Sequence, residues 1–128
     1  MKYMLMMNVP RDAYAEYTSM PKQDFERHIA YMRAFARKLN QAGELVLTEG
    51  LASPTEAKRV KAGRDGKPIT DGIFPESKEY LAGWWIVDVD NSQRAYELAA
   101  EISAQPGIGG VPANIEVEVR EIMSGPPA

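Results

Sequence analysis

The chain has 128 residues, 45% hydrophobic and 26% charged, which fits one domain with a single buried core and excludes a disordered or fibrous protein. A formal net charge of −3 gives no electrostatic case for holding a polyanion, so direct nucleic-acid binding is not expected. With no cysteine and one histidine, disulfides and thiolate sites are excluded and a typical zinc site cannot be assembled. The reading is of a soluble, cytoplasmic protein with no cofactor and no metal.

Lys2–Asn8 carries apolar residues on both alternating faces, as an interior strand does. Its apolar run is too short for a signal-peptide core, and no stretch approaches the roughly 20 residues that span a bilayer. Pro10 ends the strand, and Arg11–Met20 is either a short helix or a loop. Beyond Pro21, the residues Phe25, Ile29, Met32, Ala36 and Leu39 recur at helical spacing. Asp24 and Glu26 suit the start of that helix, Arg37 and Lys38 its end, and Gly43 a left-handed stop.

Glu44–Leu51 follows as a second strand. Ala57–Gly63 and Lys67–Thr70 flank Arg64-Asp65-Gly66, a hairpin signal. Asp71–Tyr80 is a polar loop, and Leu81–Asp88 a strand with Trp84 and Trp85 on opposite faces. Asp90 and Gln93 have capping-box spacing. Ala95, Leu98, Ala99 and Ile102 then mark a second amphipathic helix, stopped by Pro106-Gly107. Asn114–Ile122 is a last strand, with Ile115, Val117 and Val119 on one face and Glu116, Glu118 and Arg120 on the other. Residues 1–122 form the domain and 123–128 a flexible tail.

The order β-α-β-hairpin-β-α-β predicts an α+β fold: a ferredoxin-like split βαβ arrangement, with an antiparallel sheet and two helices on one face. The other face of such a sheet is bare, and an exposed apolar face asks for a partner. A homodimer is expected.

The stretch from Thr70-Asp71-Gly72-Ile73-Phe74-Pro75 through Glu76-Ser77-Lys78-Glu79 and Leu81-Ala82-Gly83-Trp84-Trp85 to Asp88-Val89-Asp90 resembles the signature of YCII-related, DGPF-motif proteins. Ala42-Gly43-Glu44-Leu45 and Glu118-Val119-Arg120 add to the likeness, which spans about residues 1–122. Ile73 stands where the motif has proline, and Glu121 replaces the proline of E-V-R-P. Met32 occupies the place of the family's helix histidine, with His28 one turn earlier. The resemblance implies a dimeric α+β barrel, a pocket near the DGPF-like loop and, for some members, lyase activity. It also carries an association with extracytoplasmic-function sigma factors.

Two functions follow as expectations. One is a cofactor-independent enzyme performing proton transfer or elimination on a small polar or aromatic molecule. Asp71 and His28 are its catalytic candidates, and Arg120, Glu118 and Lys78 its substrate-binding candidates. The other is a non-catalytic dimeric binding or regulatory module, linked to sigma-factor transcriptional regulation. Each residue also has a purely structural reading. His28 is a boundary histidine beside Asp24, Asp71 a turn former before glycine, Lys78 surface decoration, and Glu118 with Arg120 a cross-strand pair. The basic stretch Lys58, Arg59, Lys61, Arg64 and Lys67 reads as a solvated face.

Overall fold

The computed structural model describes residues 1–71 and 78–124, Asp71 through its backbone alone. In chain order the elements are β1 (Lys2–Pro10), α1 (Ala13–Thr18), α2 (Lys22–Gln41), β2 (Leu45–Gly50), β3 (Arg59–Ala62), β4 (Pro68–Asp71), β5 (Glu79–Asp88), α3 (Ser92–Ser103) and β6 (Glu116–Glu121), with 3₁₀ turns at Pro54–Glu56 and Ile108–Gly110. The sequence loop at 71–80 lies largely outside the described residues, as does the end of the tail.

Strands β2, β5, β1 and β6 form one four-stranded sheet in that order. Every neighbouring pair is antiparallel. The β1–α2–β2 crossover therefore skips over β5, and β5–α3–β6 skips over β1, which is the split βαβ topology. Strands β3 and β4 pair only with each other, as a separate hairpin. Gly66 turns that hairpin at φ +80° and Gly43 ends α2 at φ +72°, a backbone region glycine enters without the Cβ penalty.

The core forms where the C-terminal half of α2 and the apolar stripe of α3 meet one face of the sheet. Leu5, Val87, Leu39, Leu98 and Ile102 are fully enclosed there, each worth ~1.5–3 kcal/mol relative to exposure. Phe35 meets the Trp85 ring edge-on at 5.1 Å. Tyr31 Oη donates to the Glu101 carbonyl at 2.6 Å and Lys38 pairs with the Glu101 carboxylate at 2.8 Å, tying α2 to α3.

Two local expectations change. The buried face of α2 runs through His28, Phe35 and Leu39, whereas Phe25 is 42% exposed and stacks edge-on with Tyr17. The rest of the expected stripe holds: Met32 and Ala36 pack half-buried against the core beside Leu39, and Ile29 lines the space under the helix's first half. Asn91, not Asp90, caps α3: its side chain accepts the Arg94 N–H at 2.9 Å.

The far face of the sheet carries no helix. Met4 pairs with Ile86 and Met6 with Trp84, while Leu47 lies opposite Ile86 on the next strand. Along the other side of β1, Met4 faces Arg120 and Met6 faces Glu118. An apolar strip thus crosses three strands and ends at a charged edge strand. Among the described residues no helix is long and apolar enough to cross a membrane.

Candidate functional site

The core does not extend to the N-terminal half of α2. Under that half lies a cleft of about 790 Å³, walled by α1, α2, the helix-facing side of the sheet and the 105–113 loop. This falls within the size that encloses a small molecule. Its lining is mainly apolar, with Met7, Met20, Ile29 and Met32 among the contributors.

A strand irregularity shapes the floor. The register runs Met7 opposite Gly83 and then Asn8 opposite Leu81, so Ala82 is an extra residue on β5. A bulge of this kind reverses which face the following residues take. Without it Leu81 would continue the inward row of Gly83, Trp85 and Val87. With it Tyr80, opposite Val9, points to the cleft side and Leu81 is 36% exposed. Gly83 is where the strands pinch: a Cβ there would sit 2.7 Å from Met7 Cε and 2.8 Å from the Glu49 carbonyl.

His28 is the buried polar residue of the α2 wall, 8% exposed. Tyr17 packs edge-on to its ring at 5.7 Å, and Phe25 lies tilted against it at 6.5 Å. Burial holds the imidazole pKa below its ordinary value, against the opposing effect of a hydrogen bond to the Pro106 carbonyl. The ring is therefore neutral near pH 7, donates one N–H to Pro106 and keeps its other nitrogen as an acceptor. The expected Asp24 partnership is absent. Asp24 instead accepts the Gly109 N–H at 2.9 Å and pairs with Arg27 at 3.6 Å, so it fastens the 105–113 loop to α2.

That loop closes on itself, with Gly107 N donating to the Val111 carbonyl at 2.7 Å and Ala113 N to the Gln105 carbonyl at 2.8 Å. Around the cleft, three buried side-chain atoms have no hydrogen-bond partner: Tyr80 Oη, Trp85 Nε1 and Gln105 Oε1. Trp85 is 2% and Gln105 7% exposed. Burial raises the Tyr80 phenol pKa, Tyr14 adding a smaller push from its ring 5.8 Å away. Tyr80 thus stays a protonated donor.

The sequence candidates do not gather at one place in the subunit. His28 lines the cleft. Glu118 and Arg120 project from the opposite sheet face, beside Met6 and Met4. Lys78 is exposed and outside the cleft; its carbonyl accepts the Arg11 N–H at 2.8 Å. Asp71 lies backbone-to-backbone with Arg59 at the end of β4, its side chain outside the described residues. Arg59 and Glu79 border a second groove of about 930 Å³ that shares Tyr14, Tyr80 and Leu81, among others, with the cleft. Sequence reasoning missed Tyr80, Trp85 as a cleft wall, and Gln105. Their only signal was polar atoms on otherwise apolar elements.

The fold defines a small α+β domain with a cleft between one helix and its sheet. A family model for the YCII-related domain matches residues 1–122. An uncharacterized protein of Rhizobium meliloti (strain 1021) is 30% identical over 89 residues, covering 69% of this chain and 72% of that one. The chain belongs to the YCII-related family.

Proposed function

We propose that this protein is a cofactor-independent acid/base enzyme that takes a small, mostly apolar molecule into the cleft beneath α2 and moves a proton on it with His28. The observation that carries the reading is a buried neutral histidine in the wall of one mainly apolar, ligand-sized space. A neutral imidazole with a pKa below its usual value is ready to accept a proton at physiological pH. Asp71 remains the second acid/base candidate from the sequence, next to the second groove through its backbone pairing with Arg59. Lys78 would serve as a charge at that groove's margin.

The bare sheet face supports the homodimer and the closed α+β barrel. In that arrangement Glu118 and Arg120 would act at the subunit interface, toward the partner copy's ligand or its sheet. A cytoplasmic location belongs to the same proposal. The non-catalytic regulatory reading, with its sigma-factor link, has no structural observation in its favour over this one.

The test is a screen of small carbonyl and phenolic compounds in D₂O, following loss of exchangeable C–H signals by NMR. The wild-type chain should accelerate exchange in at least one compound. His28→Gln should lower that rate by about 10²–10⁴-fold, the usual contribution of a positioned base. Exchange that proceeds unchanged in His28→Gln removes the histidine from the chemistry, and Asp71→Asn then asks the same of the carboxylate.

A further inference from the structure

We infer that the β3–β4 hairpin is an arm that crosses to a second copy of the chain and lays its basic face against the acidic end of that copy's β6. This rests on the reading that two copies meet through their open sheet faces, and it fixes how they are oriented. Strands β3 and β4 pair only with each other, and residues 59–62 and 68–70 are all exposed, Val60 and Ile69 included. A two-stranded hairpin alone in water is marginally stable at best. An arm with both faces wet asks for a surface to lie on.

Charge selects the surface. Residues 58–70 carry Lys58, Arg59, Lys61, Arg64 and Lys67 against Asp65 alone, in a chain whose net charge is −3, so the surface outside the arm is acidic. Lys61 pairs with Ile69 and Val60 with Thr70, which places Arg59, Lys61 and Ile69 on one face and Val60 and Thr70 on the other. Lys67 continues the basic row by the same alternation. The arm has no aromatic side chain on which a base could stack, which argues against a nucleic-acid partner.

Position selects the same surface. The order β2-β5-β1-β6 puts β2 and β6 at opposite edges of the sheet. The hairpin lies in the chain between Gly50, where β2 ends, and Glu79, where β5 begins. Gly50 and Met7 both lie opposite Gly83, and Asn8 lies opposite Glu116. The arm and the Glu116 end of β6 therefore stand at the same end of the sheet, on its two edges. A twofold axis running along the strands, between two facing sheets, sets β2 of one copy over β6 of the other and keeps those ends level. Glu116 and Glu118 are exposed on the open face and form no ion pair among the described residues. Arg120 stands farther along β6, away from the arm.

Sedimentation velocity tests the contact. Lys61→Glu with Lys67→Glu reverses the arm, and Glu116→Lys with Glu118→Lys reverses the edge. Each double variant alone should dimerise about tenfold more weakly, since like charges then face each other. Mixed in equal amounts, the two reversed chains should form a mixed dimer as tight as the wild type, because each arm again meets opposite charge on the other chain. A contact made within one chain gains nothing from mixing. The wild-type dimer should also loosen as salt rises.

Dimers indifferent to both reversals, or reversed chains that stay apart on mixing, overturn the inference and leave the sheet-face dimer in place. Should a reversed chain fail to fold, the wild-type salt series decides, and a dissociation constant that does not move with salt overturns the arm. An oligonucleotide that binds the wild type but not the arm-reversed chain, with the dimer unmoved, gives the arm to a polyanion and overturns the inference too. A wild-type chain that stays single at every concentration removes the dimer reading, and the arm with it.

Discussion

His28 couples the cleft to pH. Its folded pKa is depressed, mainly by burial, so as pH falls the unfolded chain takes up a proton first. The stability tied to the neutral ring is complete above the unfolded value of about 6.5 and is lost as pH drops toward the lower folded value. Urea midpoints measured between pH 7.5 and 5 should therefore decline in the wild type. His28→Gln should flatten that decline; an identical slope in both proteins would mean the imidazole is not held neutral by the fold. Gly83 makes a different kind of demand. Because an added Cβ would meet Met7 Cε and the Glu49 carbonyl below 3 Å, Gly83→Ala should cost ~1–3 kcal/mol by overpacking. Denaturant titration reads that loss directly, and a variant as stable as wild type would show that the strands part without resistance.

At the scale of elements, α3 is held at its start by two devices. The Asn91 cap should be worth ~1 kcal/mol, so Asn91→Ala should destabilise by about that much while Asp90→Ala changes little. Arg94 grips Glu44 through two bonds of 2.9 Å, joining α3 to the entrance of β2. The Arg94 hydrogen bond is the main reason the Glu44 carboxyl titrates below its usual range. A carboxylate with a depressed folded pKa stabilises above its unfolded pKa and loses that contribution as pH falls through the folded one. Arg94 is partly exposed, so Arg94→Ala should cost no more than ~1 kcal/mol near neutrality. The difference from wild type should vanish in acid; a gap that persists at pH 3 would point to lost packing instead of lost charge.

The elements themselves were legible because their signals are local. Alternation in Lys2–Asn8, the Ala95, Leu98, Ala99 and Ile102 stripe, and the Arg64-Asp65-Gly66 turn each lie within a few residues of sequence. The cleft was not, for three reasons. The bulge at Ala82 inserts one residue without changing composition, so alternation read straight through it assigns Tyr80 and Leu81 to the wrong faces. Within α2, Phe35 is buried in the core and Phe25 is not, a choice made by packing partners far away in the chain. The roof comes from residues 105–113, whose hold on α2 through Asp24 and Pro106 joins positions some 80 residues apart. The sequence pairs His28 with Asp24, since i,i+4 spacing suggests that neighbour and says nothing of a distant carbonyl.

For the whole molecule, the sheet has two distinct faces. The helix-facing side of the sheet holds the core and the cleft, and the opposite side carries a strip of half-buried Met4, Met6, Trp84 and Ile86 with exposed Leu47. If that strip pairs with a second copy, light scattering should give twice the chain mass for the wild type. Trp84→Lys should return a folded single chain, because a charge without a partner in the centre of such an interface is costly. An undiminished dimer would place the contact elsewhere. Five of the seven methionines mark these two sides: Met7, Met20 and Met32 line the cleft, and Met4 and Met6 lie on the open strip. The most direct test is a ¹³C-methyl-methionine spectrum titrated with acetophenone. Shifts at Met7, Met20 and Met32, with Met4 and Met6 unmoved, are the expected result. Shifts at Met4 and Met6 with silent cleft methyls would contradict it, placing the ligand on the open sheet face and leaving the space beneath α2 without one.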